Sequence, residues 1–318
     1  MNKISLDFAH AVPPALSAEC GALGLVGVAA RTTNWLRRYD AMCNSAASSV
    51  ISTYSTSFNL SSRLLPARER RDIHNLYAVV RIADEIVDGT AEQAGAMELA
   101  AVLDAYERQV LAAPDSRFHT DPVMHAYART ARRCEFDNEL LEAFFASMRR
   151  DLASQRYSQP ELEDYVYGSA EVIGLLCLDV FLADKTVDPA QRITMENGAK
   201  RLGAAFQKVN FLRDIAEDTH DLGRVYFATH GILDDAAKAE IVAEVRGDLA
   251  AAHEAIGLLP LSARAAVTAA ANLFIELTDM IDAMPAERLS TTRVSVPTHR
   301  KALITAQAVA RAIGGKQK

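Results

Sequence analysis

Apolar residues recur at three- and four-residue steps from Tyr39 onward, in a background rich in Ala, Leu, Glu and Arg, and alternating apolar and polar runs are few. Spacing and composition together predict an all-α chain. Asp121-Pro122 and Asp188-Pro189 each set a capping carboxylate before a proline suited to the first helical turn, and Pro66 and Pro160 mark similar starts. Breaks are expected at residues 89–95, 114–122, 185–189, 257–260 and 290–297, where glycine and proline gather. Ordinary helix and loop lengths then give about eight to ten helices in a single domain. Residues 1–36 read as a loosely ordered extension, 37–313 as the folded domain and 314–318 as a tail, with no internal repeat.

Two segments are apolar enough to raise the question of a membrane span. Residues 11–30 are interrupted by Pro13, Pro14 and Glu19 and preceded by a single basic residue, Lys3, so they read as neither a leader peptide nor an anchor. Residues 165–183 contain Glu171 and Asp179, which are costly in hydrocarbon, and read as a buried helix of a soluble protein.

The pattern also carries chemistry. On a helix through residues 77–88, Tyr77, Arg81, Asp84 and Asp88 fall within about 60° of arc, beside an apolar stripe of Ile73, Leu76, Val80, Ala83 and Val87. A second helix repeats the arrangement: Gln207, Asn210, Asp214 and Asp218 project together, flanked by Arg213 and Glu217. Aspartate is a poor helix former, and like charges at i and i+4 repel by about 0.2–0.5 kcal/mol. A Mg²⁺ ion compensates, because it takes oxygen ligands, is often held by one or two carboxylates, and fills its shell with water and substrate phosphate. Most isolated D-x-x-x-D matches are solvated helix faces. Two of them, each with an aligned Arg or Asn and an adjoining apolar face, favour a box for a diphosphate.

Charge and cysteine usage narrow the classes. A net charge of −7 and a pI near 5.7 argue against nucleic acid as a partner. An acidic protein still binds a phosphorylated ligand when divalent cations lie between. Cys20, Cys43, Cys134 and Cys177 are scattered with no C-x-x-C pair, which fits a reducing cytosol and leaves no zinc or redox motif. The eight histidines show no ligand spacing, and no Gly-rich dinucleotide fingerprint is visible.

The sequence resembles the squalene and phytoene synthase family from about Tyr39 to Lys301. Residues 207–226 carry the most specific part, with Asn210, Arg213-Asp214, Glu217-Asp218 and Gly223-Arg224-Val225-Tyr226 at family spacing. Tyr77, Arg81, Asp84 and Asp88 match the first acidic motif, Tyr54-Ser55-Thr56-Ser57-Phe58 with Leu65-Pro66 resembles the S-x-S-F segment, and residues 165–174 resemble a central Y…G helix. Four positions depart from the pattern: Glu85 stands where Asp is common, Tyr54 for His, Glu171 for a small Gly and Ala228 for Pro.

The resemblance implies a single-domain isoprenoid-synthase helical bundle around a central cavity. It implies that Asp84, Asp88, Asn210, Asp214 and Asp218 hold Mg²⁺ or Mn²⁺, and that Ser55, Ser57, Tyr77, Arg81, Gln207, Arg213, Arg224 and, less directly, Arg293 contact diphosphate. Phe58, Ala170, Ile173, Leu176, Phe206 and Phe274 are expected to line an apolar cavity that excludes water, although ordinary core packing explains them equally well. Tyr165 either faces carbocations with its ring or satisfies a core hydrogen bond.

The implied reaction is head-to-head condensation of two geranylgeranyl diphosphates through a cyclopropylcarbinyl (prephytoene) diphosphate to phytoene, in carotenoid biosynthesis. NADPH is not expected, since the chain lacks the C-terminal membrane helix usual in reductive squalene synthases. Rival expectations are dehydrosqualene or presqualene diphosphate synthesis from two farnesyl diphosphates, a terpene cyclase, and a non-catalytic assembly member of the family; the intact aspartates argue against the last. The long tails of such ligands lead us to expect a cytoplasmic protein with peripheral membrane contact, and downstream carotenoid enzymes as partners.

Overall fold

The structure, a computed structural model, describes residues 34–153, 157–220, 226 and 233–314, with the side chains of 217–220 and 312–314 outside the described set. Leu36–Lys318 make one compact unit. Fourteen α-helices and no strand occur among the described residues. They are α1 (Trp35–Tyr54), α2 (Thr56–Ser62), α3 (Ala67–Val87), α4 (Thr90–Gln93), α5 (Leu99–Ala112), α6 (Pro122–Cys134) and α7 (Asn138–Ala153). Then come α8 (Gln159–Val166), α9 (Val172–Leu182), α10 (Pro189–His220), α11 (Asp235–Ile256), α12 (Leu261–Asp282), α13 (Ala286–Leu289) and α14 (Thr298–Gly314). The number exceeds the eight to ten expected because the short α2, α4 and α13 carry too few residues to show a period and α8 and α9 run on through a π turn.

The capping signals act where the sequence puts them. Asp121 Oδ1 accepts from the Met124 N–H at 2.8 Å, and Asp188 Oδ1 accepts from Ala190 N–H at 3.0 Å. Pro66 is itself the N-cap of α3, while α8 is fastened by the Ser158 N–H donating to Glu161 Oε2 at 2.8 Å.

Two cores flank the long α10 and α3. One gathers Leu76, Val79 and Ala83 of α3 with Leu103, Tyr127, Phe144 and Phe145; the other gathers Val209 and Leu212 of α10 with Ile241, Val245, Leu277 and Ile281. The core face of α3 is therefore turned from the expected stripe: Val79 and Ile86 are buried, whereas Ile73 and Val80 are only partly so and face a cavity.

A π turn, Tyr167–Glu171, joins α8 to α9. Here the wall meets α10 backbone to backbone: a Cβ on Gly203 would lie 2.5 Å from the Ala170 carbonyl oxygen, and one on Gly174 would lie 2.4 Å from that of Ala199. The stretch Gln159–Leu182 is long and apolar enough to cross a membrane by composition, yet 56% of its most apolar window is buried within the bundle. Asp179 within it pairs with Arg192 at 2.7 Å.

Candidate active site

A cavity of about 1280 Å³ runs between α3 and α10, with α2, α9, α12 and the segment before α14 completing its wall. Its lining follows the sequence of the two main helices. Along α10, Met195, Ala199, Leu202, Gly203 and Phe206 give way to Gln207, Asn210, Arg213 and Asp214; along α3, Ile73, Leu76 and Val80 give way to Arg81, Asp84 and Asp88. Each helix thus brings apolar residues to one part of the cavity and acids to another.

The acidic parts lie at the same end, because the α1–α2 junction touches both. The Arg81 guanidinium carbon stands 4.4 Å from the centre of the Tyr54 ring. Two residues later, Thr56 Oγ1 accepts from Lys301 Nζ at 2.6 Å, and Lys301 is pushed down in pKa by burial and by the nearby charge of Arg213. Ser55 and Ser57 line the cavity beside this junction, where Ser55 Oγ also caps α2 by accepting from the Phe58 N–H at 3.2 Å.

On α3, Arg81 pairs closely with Glu85 and loosely, at 3.8 Å, with Asp84. Burial, then the charge of Asp88, drive the Asp84 carboxyl well above the usual range, and Arg81 opposes them only in part. Asp84 keeps 29% of its side-chain surface accessible, but that surface opens into the protein-walled cavity, so desolvation still dominates. Asp88 is the C-cap rather than a mid-helix residue, since Gly89 follows with φ +94°. Two carboxylates in a last turn also oppose the helix dipole. Burial holds the Tyr77 phenol protonated, at a pKa of about 12.

On α10, Arg213 Nε donates to Asp214 Oδ1 at 2.9 Å, and Arg293 Nε reaches the same oxygen at 2.9 Å from the segment before α14. Asn210 Oδ1 is buried without a hydrogen-bond partner among the described residues. An orphaned amide oxygen costs about 1–3 kcal/mol unless a ligand satisfies it.

The donor set fits a hard divalent cation: half-buried carboxylates and an unpaired amide oxygen, all oxygen ligands at the acidic end. Among the described residues no three His, Cys, Asp or Glu side chains converge on one point, so a cation there would complete its shell with water or with oxygens of a ligand. The side chain of Asp218 and all of Arg224 lie outside the described residues.

Below the acids the cavity is aromatic and aliphatic. The Phe206 and Phe274 rings stack with centroids 3.8 Å apart, Phe58 lies 5.7 Å from Phe274, and Ala170 and Ile173 supply the facing wall.

Tyr165 takes the second of its two expected roles, and one expected lining residue, Leu176, stands away from the cavity. The Tyr165 hydroxyl donates to Asp151 Oδ2 at 2.7 Å, and its ring packs among Tyr157, Phe211 and Tyr226, so it is a core phenol and not a cavity wall. Leu176 is fully buried in the α3–α7 core, because α9 is apolar on every side and its cavity face belongs to Ile173, Cys177 and Phe181. Spacing gives no sign of Lys301, nor of Ser169, which lines the cavity with its buried hydroxyl oxygen unpaired among the described residues. Tyr54 stands out in the sequence only as a departure from pattern.

These helices and this cavity define the all-α isoprenoid synthase fold. A crystal structure of a dehydrosqualene synthase in complex with ligand superimposes with a TM-score of 0.72 at 23% identity, covering 88% of this chain and 99% of that one. Squalene synthase HpnC from Alicyclobacillus acidocaldarius does so at 0.64 and 22%, covering 81% and 97%. The sequence profile of the squalene/phytoene synthase family matches residues 51–300, and the chain belongs to that family. It is similar to the 15-cis-phytoene synthase of Synechococcus elongatus, 29% identical over 79% of this chain and 87% of the relative. It is also similar to the 4,4'-diapophytoene synthase of Staphylococcus haemolyticus, 30% identical over 56% of this chain, and to the phytoene synthase of Arthrospira platensis, 31% identical over 59%. In each of these last two the match spans 60% of the relative's length.

Proposed function

We propose that the protein is a prenyltransferase that condenses two geranylgeranyl diphosphates head to head, through prephytoene diphosphate, to phytoene. The observation that carries this reading is the single cavity of about 1280 Å³ with acids and arginines at one end and a phenylalanine-lined body. Its volume exceeds the roughly 300–1,000 Å³ of ordinary small-molecule sites, as two long chains demand. The relatives named phytoene synthase and diapophytoene synthase support the class.

The chain's residues divide the work. Arg81, Arg213 and Arg293, with Tyr77 and the Ser55 and Ser57 hydroxyls, bind and orient phosphate oxygens. Mg²⁺ or Mn²⁺, held by Asp84, Asp88, Asn210, Asp214 and Asp218, would neutralise the leaving diphosphate as a Lewis acid. Phe58, Phe206 and Phe274 exclude water, so that the allyl cation meets the double bond of the second substrate instead. That attack, with one diphosphate released, closes the cyclopropane by loss of a proton; the cyclopropylcarbinyl diphosphate so formed ionises with release of its own diphosphate, rearranges and loses a second proton. We further infer a cytoplasmic protein that meets the membrane surface to collect its substrates and release its product, which liposome flotation checks.

Incubating the purified chain with C₂₀ and C₁₅ diphosphates and Mg²⁺, and identifying the extracted hydrocarbon, tests the reading. C₄₀ product is expected. Product of C₃₀ alone would move the assignment to a farnesyl-using enzyme of the same chemistry, and no product would overturn the class. Asp84→Asn or Asp214→Asn should reduce turnover by about 10²–10³ or more while the fold is retained; unchanged activity would point to a non-catalytic role.

A further inference from the structure

Tyr54 and Glu85 are two of the positions at which the sequence departs from its family's pattern, and the fold brings both to Arg81. Tyr54 closes α1 and places its ring 4.4 Å from the guanidinium carbon. Glu85, one helical turn beyond Arg81 on α3, accepts from Arg81 Nη2 with one carboxylate oxygen and from the Thr90 hydroxyl at the start of α4 with the other. Thr90, Arg81 and Tyr54 thus all hydrogen-bond to the Glu85 carboxylate. Three elements therefore meet at one guanidinium: the end of α1 beneath it, the last turn of α3 beside it, and α4 behind its partner.

The distances show which acid takes Arg81. Its contact with Glu85 is close and hydrogen-bonded, whereas Asp84 Oδ2 stays 3.8 Å from Nη1. Without Glu85, the nearest buried anion for Arg81 is Asp84, and an arginine lying on Asp84 would compete for its oxygens. Arginine also has a long, entropically free stem, and a stacked aromatic face removes much of that freedom before a ligand arrives. Nε of Arg81 is buried and has no partner among the described residues, so the clamp leaves one donor of the fork unused.

We propose that Tyr54 and Glu85 are positioning residues for Arg81, holding its guanidinium toward an incoming diphosphate and away from Asp84. The proposal rests on the reading of the acidic end as a diphosphate site, but not on the identity of the product. Tyr54 supplies the face, Glu85 the anchoring charge, and Thr90 fixes the rotamer of Glu85.

Calorimetric titration of the full chain with inorganic pyrophosphate and Mg²⁺ tests it through a mutant cycle. Tyr54→Ala and Glu85→Gln should each weaken pyrophosphate at least about fivefold, the scale of ordering one long side chain. In an Arg81→Ala background, where Arg213 and Arg293 still bind the anion, the same two changes should have less than about a twofold effect. Tyr54→Phe, which keeps the ring and gives up only the hydroxyl's hydrogen bond to Glu85, should lose clearly less than Tyr54→Ala. Equal losses with and without Arg81, or no loss from Tyr54→Ala, would overturn the proposal. Melting temperatures identify any variant that fails to fold, and Tyr54→Leu, which fills the space without an aromatic face, then replaces Tyr54→Ala in the cycle. With prenyl diphosphates the losses should appear in KM more than in kcat. A chain that makes no hydrocarbon yet shows the pyrophosphate cycle would overturn the proposed reaction and leave the clamp standing.

Discussion

Arg293 grips Asp214 from outside the helix that carries it, with Nε 2.9 Å from Oδ1. Arg213, the immediate chain neighbour of Asp214, donates to the same oxygen at 2.9 Å. One carboxylate is thus held by two guanidiniums, from within α10 and from the segment before α14. A cation drawn to Asp214 would compete with both for its oxygens, and an arginine so displaced would be free to turn to a diphosphate.

Arg293 is the better candidate to move, since 60% of its side chain is exposed and exposed ion pairs contribute little to stability, about 0.2–1 kcal/mol. We expect Arg293→Ala to leave the melting temperature within about 2 °C of wild type. KM for the prenyl diphosphate should rise about tenfold, the scale of a lost charged hydrogen bond. The Mg²⁺ concentration for half-maximal rate should fall or stay constant, because a competitor for Asp214 has gone. Steady-state kinetics at varied Mg²⁺ check this, and a raised Mg²⁺ requirement would contradict it.

Asp84 carries a stability cost with a definite sign. Its folded pKa is raised by burial and by Asp88, so the folded state holds the proton more tightly than the unfolded chain does. Stability therefore falls as pH rises from the unfolded value near 3.9 through the folded one, and above that the penalty is complete. Asp84→Asn should melt higher than wild type at about pH 8 without divalent cations, and the difference should close toward pH 4. Adding Mg²⁺ with pyrophosphate should reverse the order, because only the carboxylate gains from the ligand. Scanning calorimetry with and without the ligands measures both halves.

The parts of this site legible in the sequence were those written in local spacing. Asp84 and Asp88, or Asn210 and Asp214, share a helix face by geometry alone, and no tertiary knowledge was needed to align them. For Tyr165 spacing leaves two readings open, because the partner that decides between them, Asp151, sits on α7, and Phe211 and Tyr226 close its ring from distant parts of the chain. Leu176 was not legible because an evenly apolar helix gives no phase by which to separate cavity from core. Lys301 reaches Thr56 across 245 residues, a pairing that spacing does not encode. Gly89, by contrast, was a readable signal for the end of α3, and it places Asp88 at a cap instead of inside the helix.

A buried histidine should set the acid limit of the fold. His74 Nε2 lies 2.9 Å from Ser62 Oγ, whose proton goes to the Asn59 carbonyl, so the imidazole donates there and accepts from Ser48 at Nδ1, 3.0 Å away. Burial, assisted by Arg70, lowers its pKa to about 4. The unfolded chain protonates near 6.5 and the folded one near 4, so stability is lost as pH falls between those values and is constant above them. The full effect is up to about 3 kcal/mol. Denaturant midpoints measured from about pH 7 to 4 should fall in wild type and fall less steeply in His74→Gln. Parallel curves would show that another group governs the acid limit.

The approach of α10 to the π turn makes an exacting demand on residue size. A Cβ at Gly203 would stand 2.5 Å from the Ala170 carbonyl oxygen and 3.1 Å from Glu171 Cα, both backbone atoms with no rotamer to change. Gly203→Ala must therefore push α10 from the wall. We expect a loss of about 2 kcal/mol or more, a drop of several degrees in melting temperature. Because Gly203 and Ala170 both line the cavity, the same displacement should lower kcat and widen the product range. Gly247 is the internal control: it lies within α11 with nothing inside 4 Å of the added carbon, so Gly247→Ala should gain up to about 1 kcal/mol from helix propensity alone. Opposite signs for two glycine-to-alanine changes on neighbouring helices would locate the constraint at the cavity wall, and a shared sign would place it in backbone entropy instead.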